Sequence, residues 1–114
     1  MAWKIVFYES RSGNKPVKDF LDGLEGIARN KVYSSLELLK EYGVGLGLPH
    51  VKKIVGTSLW ELRILGESST RIFYVARTGQ KFLLLHGFKK KTQQTPEKEI
   101  KTANKRLSEF ITKL

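Results

Sequence analysis

Residues 58–88, SLWELRILGESSTRIFYVARTGQKFLLLHGF, leave this chain little choice of fold. Leu59, Glu61, Arg63 and Leu65 alternate with Trp60, Leu62 and Ile64, the period of two that defines a strand. Gly66-Glu67-Ser68-Ser69 has turn chemistry, because Gly tolerates positive φ and Ser bonds nearby backbone. Arg71–Ala76 is a second strand, β-branched and aromatic, with Ile72, Tyr74 and Ala76 opposite Arg71, Phe73 and Val75. Arg77-Thr78-Gly79-Gln80 turns the chain again, and Lys81–Phe88 is apolar enough to lie centrally in a sheet. Lys89-Lys90-Lys91 follows at once. A meander that carries arginines and ends in lysines is a scaffold for presenting positive charge.

The flanking segments supply helices. Trp3–Tyr8 is a short β-type run. Pro16 suits a first helical turn, where its missing N–H costs nothing, and Val17, Phe20, Leu21 and Leu24 define a short amphipathic helix over 16–24. A longer helix spans 27–42 with the stripe Ala28, Val32, Leu36 and Leu39, ended by Gly43 as cap. The Gly-rich connector to Pro49 lacks the GxxxxGK[ST] pattern and follows a helix instead of opening one, so it is no phosphate loop. Val51–Val55 reads as a further strand. Thr95 reads as the N-cap and Pro96 as the first residue of a last helix. Its packing face is Ile100, Ala103, Leu107, Phe110 and Leu114, and its remaining surface is basic through Lys98, Lys101, Lys105, Arg106 and Lys113. The expected architecture is one α+β domain over residues 1–114: an N-terminal strand, a helical hairpin on one sheet face, a four-stranded, mostly antiparallel meander and a C-terminal helix.

Charge narrows the function classes. The net charge is +10, and residues 51–114 hold 14 basic against 5 acidic side chains. Such an excess favours polyanionic partners. The chain has no cysteine, which excludes disulfides, thiolate nucleophiles and Cys-based metal sites. No apolar run approaches the ~20 residues of a membrane span, and a cytoplasmic location is expected. His50 and His86 have no metal-ligand spacing, no Ser/His/Asp pattern occurs, and neither a metal nor another cofactor is called for. Carboxylates are sparse in the basic half, with Glu97, Glu99 and Glu109 at helix-surface positions, which disfavours paired-carboxylate hydrolysis.

Cationic chemistry remains. Cleaving an RNA phosphodiester through its own 2′-OH requires deprotonation of that hydroxyl, stabilisation of a pentavalent phosphorane and protonation of the leaving 5′ oxygen. The arginine fork suits the second task, and a Lys or His of lowered pKa suits the others. Arg63 and Arg71 can serve phosphate or form cross-strand ion pairs to Glu61 or Glu67. Lys89, Lys90 and Lys91 can act as acids or form a solvated loop, and Trp60, Phe73, Tyr74 and Phe88 can stack bases or fill a core.

LWELRI, RIFYVA and LLLHGFKKKTQQTP, followed by a basic helix, resemble the RelE/ParE toxin superfamily, and within it the phage-derived subgroup of the HigB-type branch. The resemblance spans most of the chain. It implies a microbial-RNase-like α+β fold and metal-independent, ribosome-dependent cleavage of mRNA. It also implies a cognate antitoxin of helix-turn-helix type, with operator DNA contacted only through that antitoxin and no membrane partner. By the same resemblance Arg63 and Arg71 match the family's basic strand residues, Arg71 being the one expected to hold the scissile phosphate. Lys89, Lys90 and Lys91 match its basic segment after the last strand, and His86 is a candidate participant. Glu61 stands where some relatives carry a second lysine. Two other readings stay open: a non-enzymatic gyrase poison, as in the ParE branch, and a basic nucleic-acid-binding regulator.

Overall fold

The computed structural model describes residues 3–64, 66, 69–91 and 96–113. Its elements run β1 (Lys4–Phe7), α1 (Pro16–Asp22), α2 (Gly26–Tyr42), β2 (Val51–Lys53), β3 (Trp60–Arg63), β4 (Thr70–Arg77), β5 (Lys81–Lys89) and α3 (Glu97–Thr112), with a 3-10 turn at Gly43–Gly45 after α2. The five strands form one sheet in the order β1-β5-β4-β3-β2. Strands β2 to β5 form the antiparallel meander, and β1 joins its far side parallel to β5, Lys4 opposite Lys81. The mixed α+β architecture expected from the sequence is the one observed, and it is consistent with a RelE-like fold. Among the described residues no helix is long and apolar enough to cross a membrane.

Two cores sandwich the sheet. On one face Val17, Leu21, Val32, Leu36 and Leu39 of the helical pair meet Leu62, Ile72, Tyr74, Phe82 and Leu84. Each such side chain contributes roughly 1.5–3 kcal/mol relative to exposure. On the other face Ala103 of α3, flanked by Ile100, Leu107 and Phe110, packs against Tyr8, Leu59, Phe73, Val75, Leu83, Leu85 and Phe88. The helical stripes read from the sequence are therefore the packed ones; Leu114 lies outside the described residues, as do Leu65, Glu67, Ser68 and Thr95. Phe73, Tyr74 and Phe88 are core residues, not exposed stacking platforms.

Several boundaries differ from the sequence expectation. Helix α1 stops at Asp22, where the Gly23 N–H closes on the carbonyls of Asp19 and Phe20. Strand β2 ends at Lys53 because Ile54 already bonds Leu59 across the hairpin to β3. Pro96 is the cap of α3, not its first residue: its extended ψ of 135° lets its carbonyl accept from Glu99 and Ile100.

One irregularity sets the faces of β5. Phe73 pairs with His86 but Tyr74 pairs with Leu84, so Leu85 is an extra residue, a β-bulge. Strict alternation from Leu83 would turn Leu85, Gly87 and Lys89 toward α3. The bulge resets it, so Leu85, His86 and Phe88 share the α3 side while Gly87 faces α1. There a β-carbon on Gly87 would come within 2.6 Å of Phe20 Cδ2, which explains a glycine inside the longest strand. Gly43 is needed for two reasons, a φ of +60° and a β-carbon position only 2.3 Å from Trp3 Nε1, whose ring stacks on Phe82 at 4.3 Å.

Gly87→Ala is expected to cost roughly 1–3 kcal/mol of unfolding free energy by urea titration, the usual scale of overpacking. Phe20→Leu in the same chain should recover part of that loss, giving a nonzero coupling in a double-mutant cycle.

Candidate active site

The arginines meet across a ladder. Arg63 of β3 lies directly opposite Arg71 of β4. Two residues back on β3, on the same face by strand alternation, is Glu61. Its carboxylate is almost sealed from solvent, with 1% side-chain exposure, against 31% for Arg63 and 13% for Arg71. Glu61 Oε1 is 3.5 Å from Arg63 Nε and 3.7 Å from Arg71 Nε. Arg71 also donates through Nη1 to the Thr70 carbonyl at 3.0 Å. Burial, with Arg63 as a further cause, lowers the Arg71 pKa, while Glu61 opposes that shift. Of the cross-strand ion pairs considered from the sequence, Arg71–Glu61 exists, whereas Arg63 pairs with Glu61 along its own strand; Glu67 lies outside the described residues.

His86 sits one strand further on, opposite Phe73, its ring stacked on Phe88 at 5.5 Å. Helix α3 engages both ring nitrogens. Nε2 is 2.8 Å from Glu99 Oε1, and Nδ1 is 3.1 Å from Arg106 Nη1. A guanidinium only donates, so Nδ1 accepts and the ring proton is on Nε2, donated to Glu99. This neutral tautomer agrees with the lowered His86 pKa, whose main cause is burial, with Arg106 adding to it and Glu99 opposing it. Arg106 also donates to the Leu85 carbonyl at 2.9 Å, at the bulge. Its guanidinium carbon lies 5.7 Å from the Tyr8 ring centre, and the Tyr8 hydroxyl donates to Glu109 at 2.5 Å. A polar seam therefore runs along α3 from Glu99 through His86 and Arg106 to Tyr8 and Glu109.

This seam corrects two expectations. Arg106 is not part of a solvated basic surface, and neither Glu99 nor Glu109 is a spectator, because each has a partner on the sheet side. The spacing held a signal: Glu99, Ala103, Arg106 and Phe110 recur at 4, 3 and 4, so both charges lie along the packed stripe.

The lysines divide. Lys89, exposed and opposite Thr70 at the end of β5, falls on the α1 face by alternation after Gly87. Lys90 leaves the strand with its N–H bonded to the Ser69 carbonyl at 2.6 Å, two residues before Arg71, and Lys91 is exposed. The structure gathers Arg63 and Arg71 on Glu61, sets His86 on the same face against α3, and brings the Lys90 backbone to that end of the sheet. Trp60 pairs with Tyr74 on the opposite face, beneath Lys53 Nζ at 5.3 Å from its ring. Among the described residues no group of three His, Cys, Asp or Glu could hold a metal ion.

Residues 19–108 match the family described as Phage derived protein Gp49-like (DUF891), an interval holding α2, all of the meander and most of α3. The chain belongs to the Gp49-like family. This is a RelE-like toxin family of toxin–antitoxin systems. No curated protein matches the chain. Within the Gp49-like region fall Glu61, Arg63, Arg71, His86, Lys89, Lys90, Lys91, Glu99 and Arg106.

The neutral, half-buried state of His86 has a pH signature. Its pKa is lower in the fold than the ordinary 6.5, so below that pH the unfolded chain binds the proton more readily. The contribution to stability is present above pH 6.5 and lost as pH falls through the folded value. Unfolding free energy measured from about pH 7 to about pH 5 should therefore fall more steeply for the native chain than for His86→Gln. Parallel curves would mean that the fold protonates His86 as readily as the open chain does.

Proposed function

We propose that this Gp49-like protein is a HigB-type toxin acting as one domain over residues 1–114, an endoribonuclease that cleaves ribosome-bound mRNA in the cytoplasm and is neutralised by a cognate antitoxin. The observation that carries the reading is the direct cross-strand pairing of Arg63 with Arg71, two guanidiniums on adjacent strands of one sheet face. A pair of planar forks on adjacent strands suits the two free oxygens of a phosphodiester. In the reaction the 2′-OH gives its proton to a general base and its oxygen attacks the adjacent phosphorus. The bond from phosphorus to the 5′ oxygen breaks, and that oxygen gains a proton, leaving a 2′,3′-cyclic phosphate and a 5′-OH. Arg63 and Arg71 hold the phosphate and stabilise the phosphorane, so the charge that a metal supplies elsewhere is carried here by guanidiniums.

The proton donor is drawn from Lys89, Lys90 and Lys91. Lys90 is favoured because its backbone is tied to Ser69 beside Arg71, whereas Lys89 faces α1. His86 enters proton transfer only when α3 releases one of its ring nitrogens. That engagement favours a second reading, in which the basic face binds a nucleic acid or a protein such as gyrase without cleavage.

Induced expression in bacteria, with mapping of new mRNA 5′ ends, separates the readings. The native chain should arrest growth and produce ends within translated codons. Arg71→Ala or Arg63→Ala should reduce cleavage about 10²- to 10³-fold at equal expression, the usual effect of removing one preorganised donor from a transition-state anion. Arrest with intact mRNA would leave the non-cleaving reading.

A further inference from the structure

Glu61 is an anion at the centre of a site read as holding anions. Its side chain is 1% exposed, and a carboxylate that has lost its water must be neutralised by its neighbours. It lies 3.5 Å from Arg63 Nε and 3.7 Å from Arg71 Nε, an ion pair with each. Nε is the base of each fork, so these two contacts hold the guanidiniums near their stems, and Arg71 Nη1 is fixed further by the Thr70 carbonyl. Arg63 Nε is buried and makes no hydrogen bond among the described residues, so charge rather than a directed bond ties it to Glu61, and the side chain as a whole is 31% exposed. Like charges directly opposite one another on a ladder repel, and Arg63 and Arg71 are such a pair. One carboxylate between them removes that repulsion and leaves the trio with a net charge of +1.

We propose that Glu61 is a positioning residue, an internal counter-ion that holds the guanidiniums of Arg63 and Arg71 side by side and so presents them together to one phosphodiester. The proposal rests on the reading of the arginine pair as a phosphate site. Glu61 touches no substrate; it acts through the two arginines. A lysine in its place would add a third cation and tighten non-specific attraction. A glutamate gives up that charge for a fixed orientation, which serves the transition state more than the ground state.

The test reads the arginines themselves. In ¹H–¹⁵N spectra the Nε–H signals of Arg63 and Arg71 are assigned by their loss in Arg63→Lys and Arg71→Lys. The probe is a 2′-deoxy trinucleotide, which carries the phosphodiester but lacks the attacking hydroxyl. In the native chain both signals should be resolved from those of exposed arginines and should shift together on titration. In Glu61→Gln, which keeps the size and an acceptor oxygen but not the charge, both should collapse toward the exposed position and lose the joint shift. Glu61→Asp, which withdraws the charge by one methylene, should lose the joint shift too, and it provides the comparison should the Gln variant fail to give a folded amide spectrum. Native-like signals and an unchanged joint shift in a folded variant would overturn the positioning role while leaving the phosphate site intact. Native arginine signals that ignore the trinucleotide would overturn the phosphate reading and this proposal with it.

Discussion

Strand β5 is held from four directions, and the rest of the molecule depends on that. It pairs with β1 on one side and β4 on the other, meets Phe20 of α1 on one face and carries α3 on the other. A strand so enclosed must be apolar on both faces, which Phe82, Leu83, Leu84 and Leu85 satisfy in sequence. It must also change register without losing either face. The bulge at Leu85 does this: one added residue keeps Leu83 and Leu85 in the α3 core and still delivers His86 and Phe88 to the same side.

The two polar clusters on that face solve different problems. Around Glu61, one carboxylate serves two arginines that approach from neighbouring strands, so the charges are set by the sheet, whose geometry is rigid. Along α3, Arg106 satisfies a bulge carbonyl and a ring nitrogen at once, so the charges fasten a helix whose own apolar contribution is small. Ala103 is its one fully packed residue, with Ile100, Leu107 and Phe110 partly covered. The seam therefore supplies registry where hydrophobic packing alone would let the helix slide, since each buried partner left unpaired would carry the desolvation cost of its group.

The sequence discloses the meander, the helical stripes and the charged half of the chain because each is a local periodicity, and periodicity survives translation into coordinates. Counting twos places Arg63 with Glu61 on one face of its strand and Arg71 with Phe73 on one face of the next, but that the two faces coincide is set by the register between the strands. The bulge could not be counted at all, because an extra residue in a run of leucines leaves no mark in composition, and the faces of His86 and Lys89 turn on it. The engagement of Glu99 and Arg106 is only half legible. At helical spacing they fall on the packed stripe, but charged residues there are ordinarily solvated, and only the proximity of β5 turns them inward. The choice among Lys89, Lys90 and Lys91 depends on where a strand ends, the least legible property of any segment.

The parallel pairing of β1 with β5 joins residues far apart in the sequence, Lys4 with Lys81. Contacts of such sequence separation close late, because the entropy of the intervening loop must be surrendered before the ladder returns anything. During synthesis β1 has no partner until the last strand has left the ribosome, and α3, which holds His86 in place, comes later still. Every earlier length of the chain lacks both the completed sheet and the helix laid across it. The order of translation thus makes the assembled basic face one of the final things the polypeptide acquires.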